Sequence, residues 1–223
     1  MSNNLVLKNI NKSFLSGKQT INVIINANLS IEKGESVALV GNSGAGKTTF
    51  LQIAGLLDNP DSGNILIRNI DASKADDNTR TNLRKNHIGF IYQSHHLLPE
   101  FSALENVAMP LLIKGTPKKS ALKQAAEILD QIGLKDRLTH LPSELSGGQQ
   151  QRVAVARAIV GKPSLLLADE PTGNLDSANA DNVFDLIKKL SKQHQISSLI
   201  VTHNLDLARK LDRMVEIKDG ILI

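Results

Sequence analysis

The stretch Gly41-Asn42-Ser43-Gly44-Ala45-Gly46-Lys47-Thr48 fits the pattern G-x-x-x-x-G-K-[ST] in full. An apolar run at residues 36–40 precedes it, and a helical pattern over residues 47–57 follows it. A strand, a glycine turn and a helix in this order predict a loop whose backbone N–H groups surround phosphate oxygens. The alternative interpretation is a structural glycine turn.

The side chains at the end of this loop carry the predicted chemistry. Lys47 is expected to reach the β- and γ-phosphates of a nucleotide, and Thr48 to offer its hydroxyl to Mg²⁺. The residues expected to contact the nucleotide here are Gly41, Asn42, Ser43, Gly44, Ala45, Gly46, Lys47, Thr48 and Thr49.

Composition excludes several other classes of protein. The 223 residues include 26 basic and 22 acidic side chains, a net charge of +4, without a long basic run. Aromatic residues make up only 3% of the chain, so neither an extended DNA-binding surface nor a base-stacking platform is indicated, and we expect no nucleic-acid partner. With no cysteine, disulfides and thiolate metal sites are excluded.

Hydropathy gives no sign of membrane insertion. Residues 1–4 carry no signal-peptide pattern, and apolar runs such as 37–40 and 165–168 are far too short to span a bilayer. If the protein works at a membrane, we expect another chain to anchor it.

Strand and helix patterns alternate along most of the chain. Residues 5–33 predict antiparallel strands, and later strands are expected at 65–67, 88–92, 164–168, 197–202, 214–217 and 221–223. Helices are expected at 47–57, 179–190 and 204–210, whereas residues 95–160 indicate a helical insertion. Within it, Thr116 is expected to cap a helix that begins at Pro117 and ends before Gly133. The prediction is an α/β fold with a doubly wound parallel sheet.

Two acids follow the buried strand pattern that ends at Ala168. Carboxylates at the carboxyl end of a central strand lie where open α/β sheets place ligands. We expect Asp169 to orient Mg²⁺ or its water, and Glu170 to polarise an attacking water. The alternative is an exposed acid pair at a strand end.

Two further strands end in polar residues. His203 follows the strand at 197–202 and is predicted to contact the γ-phosphate, although a lone histidine there is more often a capping or packing residue. Gln93 follows the strand at 88–92, and its amide is predicted to coordinate Mg²⁺ and the attacking water, although strand-end glutamines are common.

A second glycine turn lies at Leu145-Ser146-Gly147-Gly148-Gln149. Ser146 is a good N-cap, but a capped helix does not require two glycines, which let a backbone or phosphate approach closely. Because this turn lacks a lysine, we expect it to close over a phosphate held by another molecule. The alternative is an ordinary capped helix.

Two weaker candidates complete the site. Phe14 is expected to stack on adenine, and a core or sheet aromatic is an equal alternative. The stretch Asn174-Leu175-Asp176 has the pattern of a turn that caps the next helix.

Together these motifs make the chain similar to the nucleotide-binding subunits of ABC transporters, over nearly its whole length. The resemblance implies a single ATP-binding domain over residues 1–223 with a P-loop NTPase (RecA-like) core and parallel sheet. It further implies a core and antiparallel β subdomain at about 1–94 and 161–223, and a helical subdomain at 95–160. The implied metal ligands for Mg²⁺ are Thr48, Gln93 and Asp169, and the implied catalytic residues are Lys47, Glu170 and His203.

The same resemblance implies a head-to-tail homodimer with two ATP molecules in its interface. Each ATP lies between the phosphate loop of one subunit and residues of the other, namely Ser146, Gly147, Gly148, Gln149 and Asp176. Phe14 stands where the family usually has an adenine-stacking tyrosine, and it keeps the stacking face.

Residues 89–112 most resemble the lipoprotein-releasing branch of this family. That resemblance implies two integral membrane subunits docking near residues 93–112, lipoprotein cargo handled indirectly, and a peripheral location on the cytoplasmic face of the inner membrane. Two residues depart from the family pattern: Ser94 stands where Phe is common, and Asn204 stands where Asp is frequent.

Other functions remain as alternatives. Within transport these are the ATPases of macrolide-export and cell-division complexes. Outside it, a soluble ABC ATPase acting on nucleic acid normally carries long additions, a translation ATPase normally joins two cassettes, and a P-loop kinase leaves residues 145–149 unexplained.

Overall fold

Residues 3–17 and 19–223 are described by the computed structural model, which contains two sheets and seven α-helices in those ranges. The strands are β1 (Asn3–Ser16), β2 (Gln19–Glu32), β3 (Ser36–Val40), β4 (Ser62–Ile67), β5 (Ile70–Asp71), β6 (Ile88–Tyr92), β7 (Leu165–Asp169), β8 (Ser197–Val201), β9 (Arg213–Lys218) and β10 (Ile221–Leu222). The helices are α1 (Lys47–Ala54), α2 (Asp77–His87), α3 (Ala103–Ile113), α4 (Lys118–Gln131), α5 (Gly147–Ile159), α6 (Ser177–His194) and α7 (Leu205–Ala208).

The central sheet has the strand order β10-β9-β3-β8-β7-β6 and is parallel except for the terminal β10–β9 pair. Its central strands β3 and β7 read as continuous apolar runs because both faces are covered. Leu165 and Leu167 of β7 pack into one core with α1 and α2, whereas Leu166 and Ala168 pack into another with α3 to α7. The predicted α/β fold with a parallel sheet is confirmed.

A second sheet, with the order β2-β1-β4-β5, is antiparallel throughout. The alternation of apolar and polar residues between residues 5 and 33 arises from the β1–β2 hairpin. Its Leu5, Leu7 and Ile10 are buried in the same core as α1. The predicted antiparallel β element near the N-terminus is confirmed.

The segment between β6 and β7 is helical, with α3 and α4 packed together and α5 leading back to the sheet. One detail was wrong: α4 begins at Lys118, and Pro117 occupies its N-cap position, so Thr116 lies outside the helix. The division into subdomains at residues 94 and 161 stays a prediction.

Helix α2 was not predicted from the sequence. Of its eleven residues only Arg80 and Leu83 are buried, so it has no apolar stripe of helical period. Its signals are local instead: the Asp76 side chain accepts a hydrogen bond from the Thr79 N–H, and basic residues fill its last turn.

In the described part of the chain, none of the helices combines the length and the hydropathy that crossing a lipid bilayer requires.

Candidate nucleotide-binding and catalytic site

The predicted phosphate loop connects the end of β3 to the start of α1, as a phosphate cradle requires. Gly44 and Gly46 have φ angles of 79° and 98°, which side-chain-bearing residues rarely adopt. Gly46 is the N-cap of α1, and among the described residues no side chain caps this helix. The first N–H groups of α1 are therefore available to an anion.

The close packing of this loop also requires glycine. A Cβ atom on Gly46 would lie 2.8 Å from the carbonyl oxygen of Val23, and one on Gly41 would overlap the carbonyl oxygen of Ile217. The loop is thus held against β2 and β9 by contacts within its own chain.

Lys47 lies in the loop but is turned back onto it. Its Nζ donates hydrogen bonds to the carbonyl oxygens of Gly41 and Asn42, each at 2.9 Å. The predicted contact with phosphate oxygens requires these bonds to be exchanged. That exchange is easy to accommodate because the ammonium group is the end of a flexible side chain.

Thr48 and Asp169 are brought together at the edge of the sheet. Burial raises the pKa of Asp169, and nearby Glu170 raises it further, while the hydrogen bond from Thr48 and the charge of Lys47 oppose the rise. A half-buried carboxylate beside a hydroxyl is a fitting donor pair for a small hard cation such as Mg²⁺.

Glu170 and His203 form a direct pair. The Glu170 carboxylate lies 2.9 Å from Nδ1 of His203, and these side chains are 17% and 72% exposed. The register of β7 with β8 pairs Asp169 with Val201, and the Glu170 N–H donates to the Val201 carbonyl at 3.0 Å. Glu170 has a φ of 47°, a strained conformation of the kind that clusters at functional sites.

Gln93 follows β6 at the same edge, but another residue engages its amide. Its Nε2 donates to Oδ1 of Asn174 at 2.9 Å, and Nδ2 of Asn174 donates to the Gln93 carbonyl at 3.2 Å. The structure thus places Gln93 against the turn after Glu170, and its role as a metal ligand stays a prediction.

The second glycine turn is built around Ser146, the N-cap of α5. The Ser146 hydroxyl accepts from the Gln149 N–H at 3.3 Å, and the Gln149 side chain accepts from the Ser146 N–H at 3.0 Å. A Cβ atom on Gly147 would meet only Leu175, at 3.8 Å. No hydrogen bond or ion pair between described residues joins this turn to the phosphate loop.

Asp176 is the N-cap of α6, next to this second turn. Its carboxylate accepts from the N–H and from Nδ2 of Asn179, at 3.0 and 2.7 Å. A Cβ on Gly148 would lie 3.2 Å from Oδ1 of Asn179, so the two segments are neighbours. The capping role expected from the sequence is present, and the predicted nucleotide contact of Asp176 remains untested.

Phe14 lies on β1 with 45% of its surface exposed, and the Lys12 ammonium is 5.0 Å from its ring centroid. A cleft of about 420 Å³ lies beside the phosphate loop, and Ile21, the cross-strand partner of Phe14, is in its lining. Phe14 itself is not, so its stacking role stays a prediction. The cleft is also lined by residues that sequence reasoning missed, among them Asn22, Lys218 and Asp219.

Gln151 was also missed, although it connects three parts of the site. It is fully buried, and its Nε2 donates to the carbonyl oxygens of Pro171 at 2.5 Å and of Tyr92 at 3.2 Å. Its Oε1 is hydrogen-bonded to Nδ1 of His95. Three consecutive glutamines gave no sequence signal that the third would be internal.

Two other missed residues fix the segment after Gln93. Arg157 of α5 donates to the carbonyl oxygens of His95 and His96 at 2.8 and 2.6 Å. The fully buried Asn106 of α3 accepts from the Leu98 N–H at 2.8 Å and donates to the Phe101 carbonyl at 2.8 Å. The loop that carries the predicted docking surface is therefore tied to α3 and α5.

Comparison with known proteins places these features in a family. The family model described as ABC transporter matches residues 24–173. The lipoprotein-releasing system ATP-binding protein LolD of Colwellia psychrerythraea is 53% identical over 100% of this chain and 86% of its own length. LolD 1 of Rhodospirillum rubrum is 49% identical over 98% of this chain and 97% of its own.

Solved structures give the same result. A dimeric structure of MJ0796, a bacterial ABC transporter cassette, superposes with a TM-score of 0.90 at 40% identity, covering 98% of this chain and 96% of the other. A dimeric post-hydrolysis state of that cassette, bound to ADP and Pi, superposes with a TM-score of 0.89 at the same identity and coverage.

Proposed function

The chain belongs to the ABC transporter family and is an ATPase of that family, and we propose that it powers a lipoprotein-releasing complex. The observation that carries this proposal is the 53% identity to a LolD protein across 100% of the chain. In this proposal the work done is release of lipoproteins from the inner membrane towards a periplasmic carrier.

We propose that two copies form a head-to-tail dimer around two ATP molecules. The phosphate loop of one copy and the turn around Ser146 of the other hold each triphosphate. The similarity to dimeric cassettes supports this arrangement, as does the turn itself, whose Gly147 is not required by contacts within the chain.

The catalytic roles follow from the contacts at the strand ends. Glu170 orients and deprotonates the attacking water, and His203, 2.9 Å from the Glu170 carboxylate, positions that carboxylate. Lys47 leaves the Gly41 and Asn42 carbonyls to neutralise charge that develops on the γ-phosphate.

Thr48 and Asp169 would hold Mg²⁺, with Gln93 joining them once its amide leaves Asn174. When bound, the cation neutralises charge on the phosphates.

Closure of the dimer is driven by the γ-phosphate, because it contacts both copies. Moving a closed state from about 1% to 99% requires about 5.5 kcal/mol, or about 2.7 kcal/mol for each of two ATP molecules. Several charge-assisted hydrogen bonds supply an energy of this size. Hydrolysis removes the shared phosphate and reopens the pair.

The membrane subunits are proposed to dock near residues 93–112, which places the ATPase peripherally at the cytoplasmic face of the inner membrane. Leu98 and Phe101 expose 39% and 37% of their surface there, on a loop held by Asn106. Gln151 is hydrogen-bonded both to His95 at the start of this segment and to the carbonyl of Pro171, one residue after Glu170, so one side chain connects the docking segment to the catalytic turn.

Affinity purification of the tagged chain from solubilised membranes tests this proposal. We expect two membrane subunits and bound lipoproteins to be recovered, and Phe101→Asp to lose them by placing a charge in an apolar contact. Ile70→Asp is the matched control, because Ile70 is a similarly exposed apolar residue on β5, in the antiparallel sheet.

The other outcomes identify the alternatives. Recovery of membrane subunits without lipoproteins would assign the chain to an export or cell-division complex. Recovery of nucleic acid without membrane subunits would overturn the proposed transport function altogether.

A further inference from the structure

A second cleft, of about 470 Å³, lies away from the nucleotide site. Gly34 and Ser36 line it at the start of β3, and Ile196 and Ser198 line it at the start of β8. The phosphate loop follows the opposite end of β3, so the cleft lies at the other edge of the sheet. Helix α6 forms its second wall.

Apolar side chains line this α6 cleft together with three serines, Ser36, Ser191 and Ser198. Ile187, Ile196 and Ile200 are buried residues of its lining. Ser191 also lines it and is only 5% exposed. Among the described residues, its Oγ is the one buried side-chain polar atom without a hydrogen-bond partner. A buried hydroxyl without a hydrogen bond is energetically unfavourable. After a change of the serine χ1 angle, an oxygen atom of a ligand can accept the missing hydrogen bond.

The rim of the α6 cleft is basic. Four lysines and two aspartates line it, which leaves a net charge of +2. The charged residues of the lining are Asp185, Lys188, Lys189, Lys192, Lys210 and Asp212.

Both aspartates already have partners. Asp212 accepts from the N–H and hydroxyl of Ser36 at 2.8 and 2.6 Å, and Asp185 lies 3.6 Å from the Lys210 ammonium. Within the described residues, Lys189 and Lys192 form no ion pair. Hydrogen bonds from Ser36 and then the charges of Lys188 and Lys192 lower the pKa of Asp212, in keeping with a positive potential at the rim.

We propose that the α6 cleft binds a small carboxylate with an apolar body, an aryl or alkyl acid. The apolar body packs against Ile187, Ile196 and Ile200, the Ser191 hydroxyl donates to a carboxylate oxygen, and Lys192 supplies the counter-charge. The volume is within the range of small-molecule pockets, which combine apolar walls with a few polar groups. This site is separate from the nucleotide site and gives the ATPase a second ligand.

Isothermal titration calorimetry of the full chain, saturated with ADP so that the nucleotide site is filled, tests the proposal with phenylbutyrate as the probe. We expect saturable binding of one equivalent, and binding of the neutral analogue phenylbutanol weaker by about tenfold because the charge is lost. Ser191→Ala and Lys192→Gln should each weaken phenylbutyrate binding by about fivefold or more. Lys119→Gln, which removes the same charge from an exposed position on α4, should leave it unchanged.

Thermal unfolding separates a binding role of Ser191 from a structural one. Ser191→Ala should leave the Tm of the ligand-free protein unchanged or raise it, because the variant removes a hydroxyl without a partner. The proposal is overturned if the wild type shows no saturable binding, if the acid and the alcohol bind equally, or if both cleft variants bind like the wild type.

Discussion

The two glycine turns of this protein both precede helices, but they are stabilised differently. In the phosphate loop, Gly46 needs its φ of 98° and leaves no room for a Cβ beside the Val23 carbonyl. In the turn at Ser146, the helix is capped by reciprocal Ser146–Gln149 hydrogen bonds, and a Cβ on Gly147 would make only an ordinary contact with Leu175. Gly46 is thus needed for the fold of one chain, whereas Gly147 is not.

This difference indicates where each turn acts. A glycine that the local backbone does not require has another reason to be present, and close approach by a second molecule is such a reason. Together with the dimeric structures of similar cassettes, this supports a site completed by two copies of the chain. The predictions below test that interpretation, beginning with the largest effect.

Glu170→Gln should reduce ATP turnover by about 10²- to 10⁴-fold, the range expected on losing a general base. Because binding contacts remain, the variant should accumulate an ATP-bound dimer, detectable by light scattering after gel filtration. Glu216→Gln is the control, since Glu216 is an exposed carboxylate on β9. Turnover at the wild-type rate would refute the role proposed for Glu170.

Ser146→Arg should lower turnover by about tenfold to a hundredfold, because a bulky cation replaces the cap at the surface proposed to meet the partner. In a Glu170→Gln background it should abolish the ATP-dependent dimer. ATP affinity of the monomer, measured by fluorescent-nucleotide titration, should stay unchanged.

Ser143→Arg provides the matched control, because Ser143 is exposed and lies three residues before Ser146. A fully active Ser146→Arg homodimer would contradict the site shared between copies.

Gly46→Ala and Gly147→Ala make the same chemical change in the two turns, but only the first should destabilise the protein. Gly46→Ala should lower the free energy of unfolding by about 1–3 kcal/mol, because alanine is strained at φ 98° and clashes with Val23. Gly147→Ala should leave it unchanged or raise it by up to about 1 kcal/mol, since alanine favours helices.

Urea unfolding without nucleotide measures both values, and the ATPase rate of Gly147→Ala should still fall. If Gly147→Ala proves as destabilising as Gly46→Ala, the second turn also serves the fold of its own chain, and the contrast fails.

Phe14→Ala should have the smallest effect, weakening ATP binding by about fivefold, because an aromatic stacking contact contributes about 0.5–1.5 kcal/mol. Leu15→Ala is the control, since Leu15 is 81% exposed and adjacent in sequence. If Phe14→Ala binds ATP as tightly as the wild type, Phe14 does not contact the nucleotide. The residues that line the cleft beside the phosphate loop would then be the better candidates for contact with the adenine.

Most of the fold was predictable because its strands are strongly patterned. The runs at 36–40 and 88–92 coincide with β3 and β6, and in β3 the run is continuous because both faces of the strand are buried. Helix α2 was not predicted, because the interactions that favour it are its N-cap and the basic residues of its last turn. These interactions produce no periodic pattern of apolar residues. For the same reason the start of α4 was misplaced by one residue, a difference that no apolar residue marks.

The positions of Gln93, Asp169 and Glu170 at the ends of β6 and β7 were predicted correctly, because parallel strands bring their carboxyl ends to one edge of the sheet, whereas their chemical roles stay predictions. Gln151, Arg157 and Asn106 were not found, because each acts through backbone carbonyls distant in sequence. Side chains that bond main-chain groups carry no partner pattern that a sequence can reveal.

By itself, the sequence determined the phosphate loop, the order of strands and helices, and the family, since these depend on local backbone preferences and on patterns along the chain. Only the tertiary structure decided that Gln93 contacts Asn174, that Glu170 pairs with His203, and that Ser191 is buried without a partner. Those facts depend on side-chain distances across neighbouring elements, which are set when the sheet and its helices pack, and not by any one segment.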